Sequence, residues 1–250
     1  MQLHLKITGN DLVFPINYRH LIHGMIYKTL SDNSGYSKYL HDLSGSDEGM
    51  RAFKKFTFSS LHGEYRVTGN RIFFEAPVFL EIRSCDPVFI NVLYRHFLMQ
   101  PEMVLGQNRL CVSDVFVNGF TVCDDHVLIE MQTPLTAYYT YEINHTHFYS
   151  PNEDEFYQSI ENNAVRKWGY ATGGQDTYFR ILPAFDRMPK MQKSCFKNTY
   201  ITGWFGRYFL QGDPALLNLL YDIGLGAKNP EGYGMFDCIS NAGMQGALYS

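Results

Sequence analysis

Apolar and polar positions along this chain change period several times, and the changes mark out its elements. Residues 1–8 alternate, as a strand does when one face is buried. After Pro15-Ile16-Asn17 the period lengthens to that of a helix, and Tyr18, Leu21, Ile22, Met25, Ile26 and Thr29 fall on one face. Strand-like runs follow near 55–60, 64–68 and 71–76. Asp86-Pro87 supplies a capping side chain followed by proline at the first helical position, which predicts a helix running to about Met99. Strand-like segments return at 102–106 and 109–118.

The second half repeats this order. Val127 to Met131 and Leu135 to Tyr141 are strand-like, and Glu153-Asp154-Glu155 puts acids at the start of a helix carried on to Arg166, where the helix dipole favours them. Further strands are expected at 177–183, 190–197 and 199–209. Gly212-Asp213-Pro214 opens a last helix, and a glycine-rich loop leads from it into a final strand between Tyr233 and Ile239. Two β-α-β-β-α-β units imply an α+β protein of two tandem ferredoxin-like domains. The break falls in 120–134, where Asn118-Gly119, Asp124-Asp125 and Pro134 interrupt the pattern, giving domains 1–125 and 126–250.

Composition narrows the class. Apolar residues make up 45% of the 250 positions, enough for a sizeable core, and 18 Tyr and 19 Phe make the chain rich in aromatics. No stretch approaches the ~18 consecutive apolar residues of a membrane span. The alternating start, Met1 to Thr8, lacks the basic and continuous apolar regions of a signal peptide, so a cytoplasmic protein is expected. The five cysteines are scattered without a Cys-x-x-Cys pair, which leaves no zinc ribbon or thioredoxin-type motif. The net charge of −4 argues against promiscuous nucleic-acid binding but leaves room for a local basic surface. Arg187, Lys190, Lys193 and Lys197 gather in a segment with no acid after Asp186.

The glycine-rich loop, Gly224-Leu225-Gly226-Ala227-Lys228-Asn229-Pro230-Glu231-Gly232-Tyr233-Gly234, is the most informative stretch. Without Cβ atoms its backbone can turn sharply and approach another molecule, leaving N–H groups to meet an anion such as a phosphodiester. An ordinary tight turn is the alternative. On the first helix, His20, His23 and Tyr27 fall opposite the apolar face, and Tyr39-Leu40-His41 and Lys54-Lys55 follow. Tyrosine, histidine and lysine can together move protons and steady an oxyanion without a metal, which suits RNA cleavage by the 2′-hydroxyl. His145-Thr146-His147 could place two imidazoles on one side of a strand, but no further ligands stand at zinc spacing. There is no Walker A loop and no Gly-x-Ser-x-Gly elbow.

Together these features resemble the CRISPR-associated endoribonucleases that cut repeat RNA into guides, within the RAMP superfamily. Pro15-Ile16-Asn17-Tyr18 with Leu21 to Leu30 is similar to the family's first helix, Phe56-Thr57-Phe58-Ser59 to the strand after its lysine, and Thr133-Pro134-Leu135 to the start of its second domain. The glycine loop is similar to its C-terminal signature. The resemblance implies a catalytic tyrosine at Tyr27, histidine at His41 and lysine at Lys54, with Lys55 as the fallback. The basic segment and the glycine loop are expected to contact the RNA through Lys190, Lys193, Lys197, Gly224, Gly226, Lys228, Gly232 and Gly234. The resemblance implies no cofactor or metal, and repeat RNA as the partner of a monomer or homodimer. A non-catalytic RAMP subunit holding guide RNA among effector-complex subunits is the rival, and a ferredoxin-like interaction domain unrelated to RNA is a second.

Overall fold

The computed structural model describes residues 1–33, 55–142, 145–184 and 188–239, and contacts divide them into two units. The first holds the described residues up to Phe120 together with Ser194–Tyr200 and Asn229–Gly232; the second holds the described remainder.

The first unit begins with β1 (Gln2–Thr8) and β2 (Leu12–Pro15), followed by α1 (Arg19–Asp32). After β3 (Phe56–Phe58) come β4 (Tyr65–Thr68), β5 (Arg71–Phe74) and β6 (Val78–Ser84). Then follow α2 (Pro87–Met99), β7 (Glu102–Leu105) and β8 (Asn108–Asn118). An antiparallel sheet runs β3-β6-β1-β8-β7. Its register sets Leu3 against Ile82 and Leu5 against Leu80. These side chains are buried with Ile22, Ile26 and Leu30 of α1 and Phe89, Ile90, Leu93 and Phe97 of α2. Asp86 caps α2 by accepting from the N–H groups of Val88 (2.8 Å) and Phe89 (3.3 Å), with Pro87 behind it, as the sequence predicts.

The runs at 64–68 and 71–76 do not supply the strand beside β1. They form a separate three-stranded sheet with β2, in the order β2-β5-β4. The central partner of β1 is β6, which the periodicity alone does not single out. Val78, Leu80 and Ile82 do alternate inward, but outward Phe79 and a buried Arg83 blur the pattern.

The second unit contains β9 (His126–Met131), β10 (Tyr138–Glu142), β11 (His145–Phe148), α3 (Asp154–Thr172) and β12 (Phe179–Pro183). It continues through β13 (Lys190–Phe196) and β14 (Thr199–Phe205), whose adjoining ends belong to the first unit, and then β15 (Arg207–Gly212), α4 (Pro214–Ile223) and β16 (Phe236–Cys238). Its main sheet runs β12-β15-β9-β16, and β10–β11 and β13–β14 are two-stranded hairpins. Ile129, Phe156, Ile160, Ile181, Tyr208, Leu217 and Phe236 lie in its core. Helix α3 outruns the expected end at Arg166, because nothing breaks it before Gly173, which takes the left-handed conformation at φ 74°. The single run expected at 199–209 is two strands parted at Gly206, the second of them in the main sheet. No helix among the described residues is long and apolar enough to cross a membrane.

Candidate functional site

Helix α1 puts Ile22, Ile26 and Leu30 into the core, with Tyr27 packed against the edge of that core and His20 and His23 half-buried beside it. The expected exposed face is half-buried at His23 and Tyr27, because two other segments of the first unit flank it. Phe56 of β3 sets its ring edge-on to Tyr27 at 5.9 Å between centroids. The Tyr27 and His23 rings lie 4.5 Å apart, and Phe196 at the tip of the β13–β14 hairpin meets His23 edge-on at 5.3 Å. The Cys195 N–H donates to Asn17 Oδ1 at 3.1 Å and ties that tip to the start of α1. Beyond Phe196 the chain turns through Lys197 in the left-handed region, φ 45°, and its Nζ stands 5.8 Å from the Phe196 ring centroid. A phenol and an imidazole thus lie together on one side of α1, and the hairpin tip whose Phe196 meets the imidazole also carries the Lys197 ammonium. Such a set can order a phosphate and move protons around it.

His41, Lys54 and Arg187 lie outside the described residues. Lys55 is described and exposed, and its carbonyl accepts from Ser84 Oγ at 2.6 Å. Lys190 and Lys193 are exposed on β13.

The glycine loop differs from the expectation of free amides. Gly224, Gly226, Gly232 and Gly234 are all buried and all have positive φ. The N–H groups of Gly224, Leu225, Ala227, Gly232 and Gly234 donate to the carbonyls of Leu220, Gly234, Thr136, Asn229 and Pro134. Buried amides need such partners, and the chain itself supplies them. A Cβ on Gly226 would stand 2.7 Å from the Thr136 carbonyl, and one on Gly232 would stand 2.6 Å from the Phe58 ring. Lys228, half-buried, lays its Nζ 5.2 Å from the centroid of Tyr138.

Sequence reasoning missed Lys167. This side chain is 2% exposed and donates to the carbonyls of Gly224 (2.7 Å) and Gly226 (2.8 Å), pinning the loop from beneath. Burial, and next the charge of Arg166, lower its pKa to about 7. Its signal was present: Phe156, Ile160, Ala164 and Lys167 make one stripe along α3, so a lysine occupies an apolar position. Among the described residues no three His, Cys, Asp or Glu side chains gather as a metal site.

Residues 120–238 match the family model described as "CRISPR associated protein Cas6, C-terminal". A curated protein of Pyrococcus furiosus named CRISPR-associated endoribonuclease Cas6 is 25% identical over 236 residues, covering 88% of this chain and 82% of that one. One of Methanocaldococcus jannaschii, named CRISPR-associated endoribonuclease Cas6 1, is 25% identical over 245 residues, covering 94% and 91%. A solved structure described as "An RAMP protein binding different RNA substrates" matches with a TM-score of 0.79 at 18% identity, over 96% of this chain and 100% of that one. At that identity the likeness is one of fold.

Proposed function

We propose, from the membership of this chain in the Cas6 family of CRISPR-associated proteins, to which its C-terminal half belongs by sequence, that it is an endoribonuclease cleaving CRISPR repeat RNA without a metal. The observation that carries this reading is the likeness to two curated Cas6 endoribonucleases over most of both chains. In the cleavage, a base takes the 2′-hydroxyl proton and the oxygen attacks the adjacent phosphorus. The bond from phosphorus to the 5′-oxygen breaks, and an acid protonates the leaving oxygen. The products carry a 2′,3′-cyclic phosphate and a 5′-hydroxyl. His41 serves as the proton-transfer group, Lys54 steadies the crowded phosphate and Tyr27 orients the reacting groups. Support for Tyr27 is its place beside His23, on the side of α1 that the hairpin tip with Lys197 flanks.

The architecture is read as two tandem ferredoxin-like domains, 1–125 and 126–250. The orders β3-β6-β1-β8 and β12-β15-β9-β16 both place the second, third, first and fourth strands of a β-α-β-β-α-β unit side by side. That is the arrangement the reading requires. Lys190, Lys193, Lys197 and Lys228 take the RNA phosphates, and Gly224, Gly226, Gly232 and Gly234 hold the loop in the shape that RNA meets. The protein works in the cytoplasm.

Single-turnover cleavage of labelled repeat RNA tests the assignment. His41→Ala lowers the rate roughly 10²-fold or more, the scale of losing a general acid or base, with affinity little changed. Lys54→Ala lowers it as well, and Tyr27→Phe has a smaller effect. Cleavage by His41→Ala at the wild-type rate moves the role to His20 or His23. A wild type that binds repeat RNA and never cuts it is the non-catalytic RAMP subunit instead.

A further inference from the structure

Between β9 and α3 the hairpin β10–β11 carries an aromatic surface that the cleavage chemistry does not use. On one side Tyr138 and Phe148 pair across the strands with ring centroids 5.6 Å apart, and both are half-buried. Its other side is open. Tyr139 stands opposite His147 in the register, and after the shift beyond Thr140 the ring of Tyr141 meets that of His145 at 5.7 Å. Tyr139 is 57% exposed and Tyr141 58% exposed, and His145 and His147 are exposed as well. His147 is braced, because its Nε2 pairs with Glu153 Oε1 at 2.8 Å while the other oxygen of Glu153 accepts from the Ser150 N–H.

We propose that this face, Tyr139 and Tyr141 with His145 and His147, is a stacking surface for consecutive bases in a single-stranded segment of the repeat RNA. The inference rests on the endoribonuclease reading and adds to it where and how unpaired bases are held. Three observations favour RNA bases as the occupant. The hairpin continues directly from the loop assigned to RNA: the Ala227 N–H donates to the Thr136 carbonyl just before β10, and Lys228 covers the ring of Tyr138. On β11 His145 and His147 alternate at i and i+2, about 7 Å apart in strand rise, with Tyr139 opposite His147 and Tyr141 against His145, a spacing that leaves room for a base between successive rings. Every ring on the face also bears a polar group, and the described strand residues include no aliphatic side chain of the kind a protein partner's apolar anchor would pack against. Flat rings with polar edges suit base faces and base edges, and stacking tolerates any base.

The test is a binding titration with repeat RNA made uncleavable by a 2′-deoxy nucleotide at the cut, run at several salt concentrations. Tyr139→Ala/Tyr141→Ala weakens binding by roughly tenfold per ring, the scale of base–aromatic stacking. The log–log salt slope stays at the wild-type value, because no cation is removed. Tyr139→Phe/Tyr141→Phe keeps the rings and retains the affinity. In parallel, 2-aminopurine placed in the single-stranded segment is quenched by wild type and by the phenylalanine variant, and not by the alanine variant at saturating protein. Equal affinity of the alanine variant and wild type, or 2-aminopurine left unquenched by wild type, overturns the stacking face. A wild type that binds no repeat RNA overturns the functional reading as well, so the two failures are told apart.

Discussion

Gly232 stands where no side chain fits. Its φ is +86°, and an added Cβ would meet the Phe58 ring at 2.6 Å. Gly232→Val therefore costs about 2 kcal/mol or more of folding stability, through overpacking and left-handed strain together. Urea denaturation measures this, and unchanged stability contradicts the packing role. Lys167 gives a second residue-scale prediction. Its pKa lies at about 7 in the fold against an ordinary 10.5, so between these values the folded state binds fewer protons than the unfolded one. Stability from this group therefore rises with pH from about 7 toward 10.5, by at most ~1.4 kcal/mol per pH unit, and the full cost of burying the ammonium is present below pH 7. Denaturation at pH 7 and pH 9 checks it: wild type gains stability, and Lys167→Met lacks that gain. Both residues were half legible. The glycine motif is plain in the sequence, but Phe58, which fills the space where a Cβ would go, lies far away along the chain. Lys167 sits on an apolar stripe, yet the two carbonyls that receive it appear only once the loop is folded.

Elements were easiest to read where local chemistry fixes them. Asp86-Pro87 and Asp213-Pro214 cap α2 and α4 in the structure as their sequence suggests. Strand β6 and the break at Gly206 were not legible, since sheet membership depends on partners distant in the chain. The β13–β14 hairpin carries the element-scale prediction. Lys190, Lys193 and Lys197 replaced together by alanine weaken RNA binding and make its log–log salt dependence shallower, by roughly 0.7 to 0.9 for each phosphate no longer neutralised by a lysine. Affinity and slope equal to wild type remove the hairpin from the interface. The contrast with β10–β11 is physical: removing lysines changes the slope, while removing tyrosines leaves it in place.

At the scale of the whole molecule, the repeated order of strands and helices was visible in the changing period of the pattern, because each strand and helix buries one face. The composition of the site was not. Tyr27 is placed by α1, but Phe56, which meets it, and Phe196, which meets the adjacent His23, come from segments remote in sequence, and no local period announces them. His41 and Lys54 rest on the family resemblance alone. The central claim concerns the reaction, and labelled repeat RNA incubated with the protein in EDTA tests it most directly. The account predicts cleavage at an undiminished rate, a 2′,3′-cyclic phosphate on one product and a 5′-hydroxyl on the other, and no cut when the nucleotide 5′ of the scissile phosphate is 2′-deoxy. Cleavage abolished by EDTA and restored by magnesium or manganese, or a deoxy substrate cut as fast as RNA, would contradict it.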